Sequence, residues 1–290
     1  MTSRNTEWMI EDAQAESWLA AQELCARRHV VSVDGCEVVW RQFGQGEPLV
    51  LIHGGHGSWL HWARNIDALS SRFSLLIPNL PGYGDSSTPA FDDLSSLVDL
   101  TLASLEQLIG TDTAFNLCGF SFGGLVCAHI AVRRPDNIRR LGLLGPGGHG
   151  GPRRPRGTLV NWKRALSDEE LSAAMQHNLW VHMLHGDDQI DSLAMRIHTQ
   201  ACIDTRFRSR GISQTGGLPA TLEGYAGETL FLWGEHEVTC TPEVLMQTLV
   251  SGHTGRVGRI VPCVGHWVQY EAAEAVNAIL LRWFEQGQVV

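Results

Sequence analysis

At 290 residues, 43% of them hydrophobic, the chain can bury a sizeable core in one large α/β domain or two smaller ones. Its 31 acidic against 22 basic residues give a formal charge of −9, which opposes nonspecific nucleic-acid or anionic-membrane binding. Seven scattered cysteines without a C-x-x-C pair point to reduced thiols and a cytoplasmic setting, and no run reaches the ~20 apolar residues of a membrane span.

The first predicted element, residues 7 to 28, places Trp8, Ala15, Trp18, Leu19 and Cys25 at roughly helical spacing, with Gln22 as a polar break. Such a helix lies on the main domain or on a partner, and a homodimer built through it is the assembly considered. His29 to Val33 and Cys36 to Phe43 alternate across Asp34-Gly35, a hairpin signal. The apolar strand Pro48 to Ile52 runs into His53-Gly54-Gly55-His56-Gly57 and a helix from Ser58 to Leu69. A second unit follows: strand Phe73 to Ile77, loop Pro78 to Ser86, helix Phe91 to Ile109. Then come a strand at 114 to 118, a helix at 125 to 131 and a strand at 138 to 144. Alternation of this kind predicts a mostly parallel sheet with helices on both faces.

The pattern changes after the sixth strand. From Asn161 to about Ser213 only helical signals occur, opening on Ser167-Asp168-Glu169-Glu170. The basic cluster Arg153-Arg154-Pro155-Arg156, without interleaved aromatics, reads as a solvated loop. Strands at 229 to 233 and 259 to 261 and helices at 242 to 249 and 271 to 285 complete the chain. The expected organisation is an N-terminal helical extension (1–28), a core in two parts (29–150 and 223–290) and a helical cap (151–222). The cap is expected over the carboxyl edge of the sheet, where open α/β sheets bind ligands.

The chemistry-bearing stretch is Gly119-Phe120-Ser121-Phe122-Gly123, a G-x-S-x-G between a predicted strand and a predicted helix. The bland alternative is a glycine-rich turn with a capping serine. Two other strand ends supply what a serine nucleophile needs. Glu235-His236-Glu237 follows one and Gly265-His266-Trp267 the other. A serine hydroxyl requires a base, and that imidazole requires a carboxylate to fix its tautomer. Ser121, Glu237 and His266 stand in the chain order Ser, acid, His, with Glu235 as the alternative acid.

On these residues, together with Pro81-Gly82-Tyr83-Gly84-Asp85-Ser86, the chain resembles the α/β-hydrolase family over essentially its full length. The resemblance implies Ser121 as nucleophile, His266 as base and Glu237 as acid, with an oxyanion hole from the N–H groups of Gly55 and Phe122. Glutamate replaces the aspartate more usual in the family. Gly145-Pro146-Gly147-Gly148, Arg196 and the run from Gly265 to Glu271 resemble the branch that hydrolyses carbon–carbon bonds of ring-cleavage dienoates. There, Arg196 is expected to hold a substrate carboxylate; its other reading is a surface helix arginine. Phe120 departs from that branch, which has asparagine before the nucleophile, because a phenyl ring donates no hydrogen bond.

Phe120, His56, His149 and Trp267 are expected beside the pocket. The pairs His53/His56 and His182/His185 have metal-like spacing without partners to complete a set, so no metal and no cofactor is expected. The leading expectation is a serine hydrolase of a small organic acyl substrate (ester, thioester or amide). Carbon–carbon hydrolysis and a ligand-binding receptor of the same fold are the alternatives.

Overall fold

Alternating strands and helices dominate the computed structural model, which describes residues 12–215 and 217–288. The chain enters through α1 (Asp12–Cys25); Trp8 of the predicted stripe lies outside the described residues. The helix lies against its own chain. Glu23 pairs with Arg41 at 2.8 Å and Glu16 with Arg196 at 2.8 Å, and Ala15 is fully buried. Gln22, expected to interrupt the apolar stripe, is buried, whereas Cys25 is exposed. The seating therefore combines these ion pairs with an apolar contact, because Trp18 and Leu19 pack, partly buried, against the same core cluster as Ala15.

β1 (Arg27–Val33) and β2 (Cys36–Phe43) form the hairpin. Asp34 and Gly35 sit at φ 49° and 77°, the two positive values a type I′ turn demands. β3 (Glu47–Ile52), β4 (Phe73–Asn79), β5 (Phe115–Phe120), β6 (Ile138–Leu144), β7 (Thr229–Gly234) and β8 (Arg256–Val261) complete one eight-stranded sheet. Its order is β1-β2-β4-β3-β5-β6-β7-β8, antiparallel at β1/β2 and β2/β4 and parallel elsewhere. β4, β5 and β7 are buried along their whole length, as continuous apolar runs in a covered parallel sheet must be.

Helices pack on both faces. The core cluster that includes Leu97 and Val98 of α3 (Leu94–Ile109) and Val126 of α4 (Phe122–Arg133) lies separate from a second one. The second contains Ile66 of α2 (Ile66–Ser70) and Val276, Leu280 and Trp283 of the C-terminal helix. Between β6 and β7 the described residues form only helices and connections. These are α5 (Asp168–Asn178), a π turn (Leu179–Met183), α6 (Ser192–Ile203), α7 (Ser209–Thr215) and α8 (Leu218–Glu223), with short 3₁₀ turns at Trp162–Arg164 and Asp187–Gln189. After β7 come α9 (Pro242–Leu245), α10 (Val268–Glu271) and α11 (Ala273–Gln286). No helix among the described residues is long and apolar enough to cross a membrane.

Several boundaries differ from expectation, and three of the differences have a local reason. The helix expected from Ser58 opens as a 3₁₀ turn, Trp59–Asn65. β8 starts at Arg256, three residues early, because Val261 is its only fully buried position and the residues before it carry little apolar signal. The single terminal helix breaks at Ala272 (φ −119°, ψ 48°), which separates α10 from α11.

Candidate active site

Ser121, Glu237 and His266 all follow strand ends at the carboxyl edge of the sheet, after β5, β7 and β8. Ser121 adopts φ 53°, ψ −117°, a strained conformation for a residue with a Cβ. The turn is held by the Ser121 N–H donating to Leu144 O and by Ser121 O accepting from Gly124, Leu125 and Gly147. Glycine is obligatory around it. A Cβ on Gly119 would stand 2.3 Å from Gly123 O, and one on Gly123 would stand 2.4 Å from His53 O.

The three side chains form one hydrogen-bonded line. Ser121 Oγ lies 2.9 Å from His266 Nε2, and His266 Nδ1 lies 2.6 Å from Glu237 Oε2. The second Glu237 oxygen accepts from the Thr239 N–H at 2.8 Å. A carboxylate on Nδ1 fixes the tautomer with the proton there, leaving Nε2 to accept from the serine. Burial pushes the Glu237 carboxyl up, but the His266 charge and the hydrogen bonds from His266 and Thr239 outweigh it, and the net shift is downward. Glu235, the alternative acid, accepts instead from the Cys263 N–H, so the extra methylene of glutamate is used at 237.

The loop after β3 is fixed by a neutral histidine. His53 Nε2 accepts from the Leu80 N–H, so Nδ1 carries the proton and donates to Gly54 O. Burial lowers its pKa to about 4, against a small opposing effect of the Gly54 carbonyl. His61 Nδ1 accepts from the Gly54 N–H. Among the described residues neither the Gly55 nor the Phe122 amide finds a protein acceptor. Phe122 is the first residue of α4, where an N–H has no partner in the helix.

The remaining expected residues separate into two groups. His56 is exposed beside Gly55 at φ 50°, at the rim of this loop. His149 lies close enough to feel Glu237 and His266, and its Nδ1 accepts from the Gly151 N–H. Phe120 is buried, its ring 4.9 Å from that of His266 and 5.4 Å from that of His61, so it packs beneath the base. Trp267 is not an open pocket wall: it is fully buried, donates to His61 O and stacks on Tyr270 at 4.2 Å. Arg196 is not brought to the serine either. Its guanidinium pairs with Glu16 and Asp12 of α1, because those acids are the ones its helix face meets.

Sequence reasoning passes over the groups that join the segment between β6 and β7 to the His266 loop. Glu271 accepts from the N–H groups of Gly265, His185 and Gly186 at 2.7 to 3.1 Å. Asp191 caps α6 through the Ala194 N–H, accepts from Tyr270 Oη at 2.6 Å and pairs with buried Arg64. His182 stands with its ring 5.5 Å from that of His266. The signal available for His182 is a polar residue inside the apolar run Leu179 to Leu184, which is also what an edge-of-core residue looks like, and Glu271 lies between Gln269 and Glu274 with nothing to set it apart.

A model of the alpha/beta hydrolase fold matches residues 47–201. The chain is 25% identical over 260 residues to a 2-hydroxy-6-oxo-6-phenylhexa-2,4-dienoate hydrolase of Burkholderia cepacia, covering 84% of this chain and 90% of that one. It is 34% identical over 133 residues to a pimeloyl-[acyl-carrier protein] methyl ester esterase of Vibrio campbellii, a match that spans half of that relative and 46% of this chain. Among solved structures, naproxen esterase from Bacillus subtilis superposes with a TM-score of 0.76 at 18% identity, covering 95% of this chain and 99% of that one. The meta-cleavage product hydrolase CumD from Pseudomonas fluorescens gives 0.71 at 19%, covering 90% and 98%. At such identities the structural likeness bears on the fold. With the family model spanning more than half of it, the chain belongs to the α/β-hydrolase fold family and is a hydrolase, with likeness to the meta-cleavage-product branch.

Proposed function

We propose that the protein is a serine hydrolase acting on a small organic acyl substrate (ester, thioester or amide). The observation that carries this reading is the unbroken line Glu237–His266–Ser121, at 2.6 and 2.9 Å, ending on a strained serine. In the proposed reaction Ser121 Oγ attacks the carbonyl carbon while its proton passes to His266 Nε2. The carbonyl oxygen becomes an oxyanion facing the Gly55 and Phe122 N–H groups, where fixed donors act without reorganising. Glu237 stabilises the imidazolium. His266 then gives the proton to the leaving group as the carbon–heteroatom bond breaks. Water, deprotonated by the same imidazole, attacks the acyl-enzyme, and the proton returns to Ser121 as the acid is released.

A second reading is hydrolysis of a carbon–carbon bond in a dienoate, favoured by the match along most of the chain to a dienoate hydrolase. Two features weigh against it. Phe120 offers no hydrogen bond, and Arg196 is occupied by α1.

A fluorophosphonate probe followed by mass analysis tests the assignment. It is expected to label wild type once, at Ser121, and to leave Ser121→Ala unlabelled. A label on another serine overturns it. A panel of p-nitrophenyl esters beside a dienoate decides between the readings: turnover of the dienoate alone favours the second.

A further inference from the structure

One imidazole near the reaction centre has no part in that scheme. His182 sits in the π turn Leu179–Met183, and insertions of this kind recur where a side chain is re-aimed at a site. The turn is pinned to the loop that carries His266. The Trp267 N–H donates to Met183 O at 2.8 Å, and a Cβ on Gly265 would stand 2.9 Å from His185 N. Glu271 ties the His185 and Gly186 amides to that of Gly265. The placement of the His182 ring, 5.5 Å from the His266 ring and tilted by 54°, is therefore built into the backbone.

The His182 side chain makes no hydrogen bond among the described residues. It is only half-buried, so solvent still reaches it, which is the situation of a group on a cleft wall. An imidazole held this close to the His266 ring, reached by solvent and not hydrogen-bonded by the protein, is free to bond a bound molecule. It faces His266 and Glu237 from the strand ends, Arg153 from the connection after β6 and His198 from α6. Burial first, then the His266 charge, hold its pKa down to about 3, so at neutral pH one ring nitrogen donates and the other accepts. Its nearness to the His266 ring indicates which part of the substrate it would meet. The oxyanion donors lie on the Gly55 and Phe122 side, whereas the His266 ring marks the side from which the departing group is protonated.

Resting on the reading of Ser121 and His266 given above, we propose that His182 is a substrate-binding residue that hydrogen-bonds the leaving half of the substrate. It would select departing groups with a hydroxyl oxygen close to the scissile bond. The pair that tests this is a 2-hydroxyethyl ester and a propyl ester of the same acid, nearly isosteric and differing in that oxygen. Wild type is expected to favour the hydroxyethyl ester in kcat/KM by about tenfold, the worth of one well-placed hydrogen bond. The preference should stay flat between pH 6 and 8. In His182→Phe the ratio is expected to fall to about one, with His182→Gln keeping part of it. A purely structural role would lower both esters together and leave the ratio intact. That result, or a wild type without preference, overturns the proposal.

A second readout needs neither turnover nor a folded Phe variant. Ethylene glycol should slow fluorophosphonate labelling of the wild type more than 1-propanol does, and equal protection also overturns the proposal. Failure of the underlying reading looks different, because Ser121 would then not be labelled at all.

Discussion

The two ends of the sheet carry polar groups in opposite ways. At the amino end of the strands a cleft of about 530 Å³ is lined by Glu47, Arg72, Arg139, Arg140 and Glu285. Its arginines are paired: Arg72 with Glu285 at 3.5 Å, Arg139 with Glu47 at 3.7 Å and Arg140 with Glu228 at 3.0 Å. At the carboxyl end are a serine in a strained turn, two backbone amides without a protein acceptor and an imidazole without a partner among the described residues. The polar groups of the first place satisfy one another, and those of the second do not. Unspent hydrogen-bonding capacity, more than the presence of a cleft, therefore points to the candidate site.

The comparison breaks most directly at the carboxyl end. Replacing Ser121 by alanine is expected to lower kcat/KM by at least about 10⁴, with the thermal midpoint little changed, since the turn keeps its backbone hydrogen bonds. Glu237→Gln should cost about 10³ to 10⁴, because an amide neither fixes the imidazole tautomer as well nor carries charge. Steady-state kinetics on one p-nitrophenyl ester checks both. A Glu237→Gln enzyme of near-wild-type activity would return Glu235 to consideration.

Acid should be the next largest disturbance. His53 titrates at about 4 in the folded chain against an ordinary 6.5. The unfolded chain therefore takes up this proton at higher pH than the folded one. The stabilisation is complete above pH 6.5 and is lost as pH falls towards 4. Between pH 7.5 and pH 5 this one group should remove about 2 kcal/mol, at 1.36 kcal/mol per unit. Glu237 works in the same direction lower down. Its folded value lies below the ordinary 4.5, so its contribution holds above pH 4.5 and fades below it. His182 and His198, which burial lowers to about 3 and about 4, act in the same window as His53. Urea unfolding of wild type beside His53→Gln at several pH values therefore isolates the His53 share, and parallel profiles from pH 7.5 to 5 would show His53 to be charged or accessible.

Glu271→Gln should act more mildly and in a different way. The amide oxygen can still accept, but its NH₂ group faces backbone donors, leaving buried N–H groups unpaired at a cost of about 1–3 kcal/mol. Because the lost bonds span the His266 loop and the π turn that carries His182, kcat should fall several-fold as well. Denaturation and kinetics on the same preparation would show whether the two losses travel together.

These residues also mark where legibility in the sequence stops. The hairpin, the parallel strands and the serine turn are readable because Asp34-Gly35, apolar runs such as Leu75 to Ile77 and Gly119/Gly123 each answer to a local constraint. His266 and Glu237 are readable through chain order and the chemical need for a base and an acid. Arg196 is not, because its partner is α1, roughly 180 residues earlier in sequence, and spacing does not reveal which helix face meets which acid. Trp267 escapes a sequence reading because a buried indole and a pocket wall have the same signature. His182 and Glu271 depend on how the segment after β6 folds back over the sheet, and that is a tertiary fact.

The smallest effect is expected at the amino end, and it is the control for the whole contrast. Arg139 is half-exposed and sits 3.7 Å from a Glu47 carboxylate that is itself more than half-exposed. Pairs of this kind gain little in water and are screened by salt, so Arg139→Gln should change stability by no more than about 0.5 kcal/mol. It should leave kcat/KM unchanged, because the residue lies at the start of β6 while Ser121 lies beyond the opposite end of β5. A loss of activity in Arg139→Gln would mean that the amino-end cleft communicates with the serine. Satisfied pairs would then no longer separate structural from functional polar groups in this fold.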